Sequence, residues 1–144
     1  MLAELRQHHE AISRLLSALE ALCMDAQPDM AKLSVTRLEL TRASRARSAY
    51  LNLVIYPYVE RICTAEQRIA FEKLKSEGIL MLVRAGDHVR HWTSRQIAAD
   101  WRGYCSASAA ARQTMWDRMK REAELIYPLL KDEGSRYQSV PTAK

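Results

Sequence analysis

The sequence predicts an all-α protein folded as an antiparallel, up-down-up-down four-helix bundle. Apolar residues recur at alternating steps of three and four, the spacing of an amphipathic helix, and no stretch alternates like a half-buried strand. The chain has 144 residues, of which 48% are hydrophobic, with only 4 glycines and 4 prolines. This length and composition suit one domain with a single core. We predict the bundle over residues 1–131 and a polar tail over 132–144.

The first helix has the clearest pattern. Its predicted inward face consists of Leu2, Leu5, His9, Ile12, Leu16, Leu19 and Cys23. The sequence Ala-Gln-Pro-Asp at 26–29 ends this helix, and Asp29 is placed to cap the next one.

The second helix is predicted from about Met30 to Tyr56. Its inward face consists of Leu33, Leu40, Arg47, Leu51, Val54 and Tyr58. The helix closes with Leu-Val-Ile-Tyr-Pro-Tyr-Val at 53–59, and a near copy, Glu-Leu-Ile-Tyr-Pro-Leu-Leu, stands at 124–130. Because proline lacks an N–H and crowds the carbonyl four residues back, each copy is predicted to mark a helix end. Both ends are expected on the same side of the bundle, sealed by these tyrosines and aliphatic side chains.

The third helix is predicted to begin at a capping box formed by Thr64 and Gln67. Gly78 predicts a kink or a break within it. Its later part turns one face inward, formed by Met81, Ala85, His88 and Trp92.

The fourth helix is predicted from about Ser108 to Lys131, after a glycine-containing turn over 100–108. Its inward face consists of Met115, Met119, Glu122, Ile126 and Leu129.

Charge and hydropathy exclude several classes of protein. No apolar run approaches the roughly 18 residues of a membrane span, and the first ten residues lack the apolar region of a signal peptide. We therefore expect a cytoplasmic protein that does not enter membranes. The net charge is +5, yet the second helix mixes its arginines with acidic residues and lacks interleaved aromatics, which argues against a nucleic-acid partner. These arginines are Arg37, Arg42, Arg45 and Arg47.

The three cysteines are Cys23, Cys63 and Cys105. They are odd in number and widely spaced, without a Cys-x-x-Cys pair. In a reducing compartment this pattern predicts three small, buried or half-buried free thiols. Whether any of them has a redox role stays open.

Several ionisable residues occupy the predicted interior or lie beside it: His9, Arg47, His88, His91, Arg118 and Glu122. A polar group buried in a bundle needs a partner. Histidine and glutamate projecting inward from facing helices are also the means by which bundles build metal sites. His91 follows His88 by three residues and can share its helix face.

The segment Leu-Arg-Gln-His-His-Glu-Ala-Ile-Ser-Arg-Leu-Leu at 5–16 resembles the opening of the hemerythrin-like, HHE cation-binding family. In that family a first-helix histidine ligand follows a leucine by four residues and precedes an aliphatic residue by three, and Leu5, His9 and Ile12 match this pattern. The two Ile-Tyr-Pro segments resemble the endings of the family's second and fourth helices. The resemblance covers about residues 1–131 and implies a hemerythrin-like bundle built around a metal centre.

The resemblance also implies where the ligands stand. The family has histidine ten residues before each proline and an acidic residue four positions later. This chain has Arg47 and Leu51 in one case and Arg118 and Glu122 in the other. A guanidinium stays positively charged and repels a cation, so a di-iron centre is not expected. Arg47 or Arg118 is expected to make a charged hydrogen bond to Glu122 or to another inward-facing carboxylate. The remaining candidate ligands are His9, His88, His91 and Glu122.

The predicted function is that of a non-catalytic hemerythrin-like bundle that has lost the di-iron site and binds or regulates a partner. The alternative is a protein with a single iron or zinc ion that senses or carries oxygen, nitric oxide or metal. A nucleic-acid or acidic partner on the second-helix arginines is a third hypothesis, and an anion held by Arg47 and Arg118 stays open. The sequence has no nucleophile–base pair or phosphate loop that would indicate an enzyme. The protein partner or small ligand is unknown, and homo-oligomerisation stays open.

Overall fold

The computed structural model describes residues 1–131, and over that range the protein is all-helical, which confirms the all-α part of the prediction. The elements are α1 (Leu2–Cys23), α2 (Met30–Tyr50), a π-helical segment (Leu51–Ile55), α3 (Tyr56–Ile62), α4 (Ala65–His91), α5 (Ser94–Ala99) and α6 (Trp101–Lys131). The predicted tail over 132–144 lies outside the described residues.

Two predicted helix starts are confirmed by their caps. The Asp29 carboxylate accepts a hydrogen bond from the main-chain N–H of Lys32 at 3.1 Å. At the start of α4, the Thr64 hydroxyl accepts from the N–H of Gln67 at 3.1 Å, and the Gln67 side chain accepts from the N–H of Thr64 at 2.8 Å. Each cap satisfies donors that the first turn of a helix leaves without an intrahelical partner.

The predicted turn over 100–108 is wrong, because α6 already begins at Trp101. The Asp100 carboxylate accepts a hydrogen bond from the N–H of Gly103 at 2.9 Å and thereby caps the first turn. A Cβ at Gly103 would collide with that carboxylate. The glycine therefore makes room for the cap instead of forming a turn, and the short helix α5 provides the connection from α4.

The prediction that each Ile-Tyr-Pro sequence ends a helix is also wrong. Pro57 lies inside the second helical arm, shortly after the π-helical segment, and Pro128 lies inside α6, three residues before Lys131. Just before Pro57, the N–H of Tyr56 donates to the carbonyl of Leu51, five residues back. This wider π-type turn accommodates the proline ring, so the second helical arm continues to Ile62 instead of stopping at Tyr56.

The two Ile-Tyr-Pro sequences nevertheless pack into one apolar cluster, as predicted. Ile55, Tyr56 and Ile126 are buried there, and Tyr127 is half-buried against them. Val54 was predicted to face inward but is 39% exposed, because the π-helical segment changes the angular spacing of the residues around the helix.

The apolar contacts between α1 and α6 show that these two helices run in opposite directions. Leu5 packs in the same cluster as Ile126. Ile12 then packs with Met119, and further along α1, Leu19 belongs to the cluster of Tyr104. The core thus consists of three successive apolar clusters along the length of the helices.

Candidate functional site

The carboxylate of Glu122, which is 0% exposed, is the centre of a buried ion cluster. Its Oε1 accepts a hydrogen bond from Nε of Arg118 at 2.9 Å and lies 3.6 Å from Nη1 of Arg47. Its Oε2 lies 2.7 Å from Nε2 of His9. The prediction that arginines pair with Glu122 is therefore confirmed. These four residues, contributed by α1, α2 and α6, are called the ion cluster below.

Each of the three nitrogen atoms of the Arg118 guanidinium donates a hydrogen bond. Besides its bond to Glu122, it donates to the main-chain oxygen of Leu74 in α4 and, at 3.1 Å, to the hydroxyl of Tyr56. A Cβ at Gly78 would come within 2.7 Å of the same guanidinium. Gly78 is therefore the place where α4 leaves room for Arg118. The predicted break at Gly78 is wrong, since α4 runs without interruption from Ala65 to His91.

Both ring nitrogens of His9 are engaged. Nε2 faces Glu122, and Nδ1 lies 2.6 Å from the hydroxyl of Tyr127. Because a carboxylate only accepts, Nε2 carries a proton and donates it, while Nδ1 accepts from Tyr127 when the ring is neutral. Neither nitrogen is left with a free lone pair directed at a metal ion.

The charges of the ion cluster do not cancel. Burial raises the pKa of Glu122, but the hydrogen bond from His9 and the charges of Arg47 and Arg118 outweigh it, so the pKa lies below its ordinary value of 4.5. Glu122 thus counts −1 and the two arginines +2, which leaves +1 with a neutral His9. Nε of Arg47 is buried without a hydrogen-bond partner among the described residues. An added metal cation would meet this positive excess at short range.

The other candidate ligands, His88 and His91, lie away from the ion cluster. The ring of His88 packs against that of Tyr104, with 6.1 Å between centroids. Tyr104 precedes Glu122 by 18 residues in α6, which corresponds to about 27 Å along the helix axis. His91 is exposed. Within residues 1–131, no three histidine, cysteine, aspartate or glutamate side chains come together in a group that could hold a metal ion.

Leu51, at the predicted position of a lost acidic ligand, is 2% exposed. It packs in the apolar cluster with Leu5 and Leu74. The leucine contributes apolar packing there.

An aromatic cluster at the other end of the helices was missed by sequence reasoning. Arg37 donates to the main-chain oxygen of Trp92 at 2.8 Å, and its guanidinium carbon lies 5.5 Å above the ring of Tyr104. The rings of Trp101 and Tyr104 stack at 5.7 Å, while Trp92 meets Tyr104 edge-on at 5.6 Å. We call Arg37, His88, Trp92, Trp101 and Tyr104 the aromatic cluster. The spacing of Trp101 and Tyr104 on one helical face was its signal, and the predicted turn concealed it.

Electrostatics in the aromatic cluster favour uncharged side chains. Burial lowers the pKa of His88, and the positive charges of Arg37 and His91 lower it further. Burial also raises the pKa of Tyr104, despite the opposing charge of Arg37. Both rings are therefore held neutral at ordinary pH.

The arginines of α2 do not form a single basic surface. Arg37 and Arg47 are directed into the two clusters, whereas Arg42 and Arg45 are exposed. Since two of the four side chains are already engaged inside the protein, the described structure offers no continuous arginine stripe along α2 for a nucleic acid.

The three cysteines are free and half-buried, as predicted. Cys23 and Cys105 pack beside the aromatic cluster. Burial, together with a hydrogen bond to Cys23, raises the pKa of Cys105 to about 12. A reactive cysteine needs the opposite shift, so the raised pKa does not favour a thiolate at Cys105.

No helix within residues 1–131 combines the length and the apolar character required to cross a membrane. Comparisons with protein-family models, with curated proteins and with solved structures find no match.

Proposed function

We propose that this chain is a hemerythrin-like, up-down-up-down four-helix bundle in which the ion cluster takes the place of the metal centre. We propose further that it acts in the cytoplasm as a non-catalytic binding or regulatory protein. The observation that carries the proposal is the meeting of positions 9, 47, 118 and 122 around one buried carboxylate. These are four of the positions at which the resemblance implies metal ligands.

The order of helix contacts supports an antiparallel bundle. The end of α1 packs with the start of α2 through Leu19 and Leu33, and the end of α2 returns to the start of α1, where the Tyr50 hydroxyl donates to the Met1 carbonyl at 3.2 Å. Contacts between α4 and α6 are reversed in the same way. Leu74 meets Arg118 near the start of α4, while the end of α4 meets the start of α6 in the aromatic cluster.

The donor atoms of the ion cluster do not fit a metal ion. Both carboxylate oxygens of Glu122 and both ring nitrogens of His9 already have hydrogen-bond or ion-pair partners within the protein. A zinc or iron site needs three or four such donors free and convergent. The alternative function, a single iron or zinc ion on His9, His88, His91 and Glu122, would also require side chains about 27 Å apart along the helices to converge.

A structural role for the ion cluster agrees with its enclosure. Glu122 and Arg118 are 0% and 4% exposed, so a substrate has no path to them without opening the helices. The cluster instead joins α1, α4 and α6 through charged hydrogen bonds and α2 through the ion pair of Arg47 with Glu122, which fixes their relative positions. The surface that contacts a partner then lies on the outside of the bundle.

Metal analysis of the purified protein and of one restored variant tests this proposal. We expect the natural chain to hold less than about 0.1 iron per chain, and the triple variant Arg47→His, Leu51→Glu, Arg118→His to hold more. A matched control makes the same chemical changes at exposed positions of the second arm, Arg42→His, Leu53→Glu and Arg45→His, and should gain none.

Two outcomes contradict the proposal. About two irons per natural chain, with the absorption spectrum of an oxo-bridged pair, would mean that the ion cluster rearranges into a metal centre. A restored variant that stays folded but binds no more iron than the control would mean that positions 47, 51 and 118 do not correspond to ligand positions.

A further inference from the structure

Helix α4 carries two lines of residues with the three-and-four spacing of a helix-packing seam. The inner seam consists of Phe71, Leu74, Gly78, Met81, Ala85, His88 and Trp92. All of these residues are buried or half-buried except Ala85, which is exposed although it was predicted to face inward. The outer seam consists of Glu72, Ser76, Ile79, Val83, Gly86 and Arg90. At 3.6 residues per turn, the two lines are centred about 150° apart around the helix. A helix that packs on one side only needs one seam, so the second requires an explanation.

The middle of the outer seam is apolar and exposed. Ile79 is 70% exposed and Val83 55%, and they are flanked by Leu80 at 50% and Leu82 at 64%. Single exposed apolar residues are ordinary on a protein surface, but a contiguous apolar patch bordered by charges is typical of a protein–protein contact.

The outer seam is symmetric about residue 81, and its charges are opposite at the two ends. Glu72 lies as far before that point as Arg90 lies after it, and Ile79 and Val83 are related in the same way. We propose that a second copy of this chain docks here, with the two α4 helices antiparallel about a two-fold axis. Each Glu72 then meets Arg90 of the second copy, and each Ile79 meets Val83 of the second copy.

The side chains of the outer seam favour this orientation over a parallel one. Parallel helices in register would place Glu72 against Glu72 and Arg90 against Arg90, which costs energy. The remaining antiparallel pair joins Ser76 with Gly86, two small residues that let the helix axes approach closely once the exposed Arg90 guanidinium, which lies beside Gly86, turns towards the second copy. Arg90 also donates to Asp87 of its own chain, but that pair is exposed and therefore weak. It leaves Arg90 able to contact the second copy.

The size of the surface predicts how strong the dimer is. The outer seam extends over 18 residues, about 27 Å of helix. One helix from each copy buries an area near the lower end of specific interfaces, about 1,200 Å² in total. We therefore expect monomer and dimer to exchange at micromolar protein concentrations.

Sedimentation velocity of the full chain, from about 1 to 200 µM, tests the proposal. We expect the mass to rise with concentration from the 16.5 kDa of one chain towards twice that value. Glu72→Lys and Arg90→Glu should each weaken the dimer at least about tenfold, because each homodimer then contains two repulsive pairs. An equal mixture of these two variants should restore it, since every pair across that heterodimer is again opposite in charge.

The matched control is Arg84→Glu, an exposed charge reversal on the same helix away from the outer seam. The Arg84→Glu variant should dimerise like the natural chain. Val83→Asp, which places a charge in the apolar centre of the outer seam, should not dimerise. A natural chain that remains monomeric over the whole range would overturn the proposal. A mixture that dimerises no better than its two components would also overturn it, because the dimer would then use another face or orientation. Neither result bears on the metal analysis, so the two proposals fail separately.

Discussion

The two polar clusters between the helices each contain an arginine from α2 and one histidine, which comes from α1 in the ion cluster and from α4 in the aromatic cluster, but these residues have different surroundings. The ion cluster has Arg47 and a histidine, and the aromatic cluster has Arg37 and a histidine. Only the ion cluster contains a carboxylate. There the arginines are almost fully enclosed, with Arg47 6% exposed. In the aromatic cluster Arg37 is only half-buried and uses a main-chain oxygen and a ring face.

The difference shows what allows a charge to be buried in this protein. A guanidinium can lose its water where a carboxylate compensates it. Without one, Arg37 keeps part of its surface in solvent, and the neighbouring His88 is held neutral by its lowered pKa. The residue types alone therefore do not distinguish a fixed ion network from a loosely polar aromatic contact. The presence of Glu122 does.

Removing that carboxylate is the most severe test of the comparison. Glu122→Ala leaves two buried guanidiniums uncompensated, and we expect a loss of roughly 3–5 kcal/mol in the free energy of unfolding. Denaturant melts measure it. Glu124→Ala, an exposed change nearby in the same helix, should stay within about 0.5 kcal/mol. A similarly small loss for Glu122→Ala would mean that the ion pairs contribute little.

Two glycines of α4 provide the next test, because replacing them by alanine should change the free energy of unfolding in opposite directions. Gly78→Ala places a Cβ 2.7 Å from a guanidinium nitrogen of Arg118. Arg118 is hydrogen-bonded on all sides and cannot move freely, so we expect a loss of about 1–3 kcal/mol. At Gly86 the nearest atom belongs to the exposed Arg90 at 3.4 Å, and Gly86→Ala should gain up to about 1 kcal/mol from helix propensity. Equal effects in thermal or denaturant melts would contradict this assignment of Gly78.

The two arginines of the ion cluster are expected to be unequal. Arg118→Met removes three hydrogen bonds and should cost roughly 3 kcal/mol or more. Arg47→Met should cost less than about 1 kcal/mol, because Glu122 keeps Arg118 and the positive excess disappears. The same melts decide the order, and a larger loss for Arg47→Met would show that Arg47 is the main counter-charge.

The smallest predicted effect is a pH dependence at the aromatic cluster. The pKa of His88 is lowered from 6.5 in the folded protein, so just below that pH the unfolded chain binds more protons than the folded one. The contribution of the neutral His88 ring to the free energy of unfolding is therefore complete above pH 6.5 and is lost as the pH falls. Unfolding measured between pH 7 and pH 5.5 should show this decline, and His88→Gln should flatten it. The pKa of Glu122 is below 4.5, so this carboxylate affects the pH dependence of unfolding only at lower pH. An unchanged slope in the variant would remove His88 as the cause.

Much of the fold and part of the site followed from local rules. The caps at Asp29 and Thr64 depend on neighbouring residues only, so their spacing in the sequence was sufficient. Pairing between the interior arginines and Glu122 was also predictable, because a buried charge needs a counter-charge.

What sequence reasoning could not supply was the position of a side chain along the helix axis. The three-and-four spacing shows which side of a helix His88 occupies, but not which residues of α6 lie at the same height. That height depends on where α6 begins, and its start at Trp101 depends on a cap by Asp100. A local error at one helix start therefore concealed the separation of His88 from Glu122.

The π-helical segment over Leu51–Ile55 has a consequence for how the length of this chain can change. Its hydrogen bond closes a turn that holds one residue more than an α-helical turn. Deleting one residue there would convert the segment into ordinary α-helix while leaving the helices on either side nearly in place. Single-residue insertions and deletions should accordingly be better tolerated in this segment than elsewhere in the second arm. In chains related to this one, a gap aligned between Arg47 and Tyr56 would preserve the contacts of both.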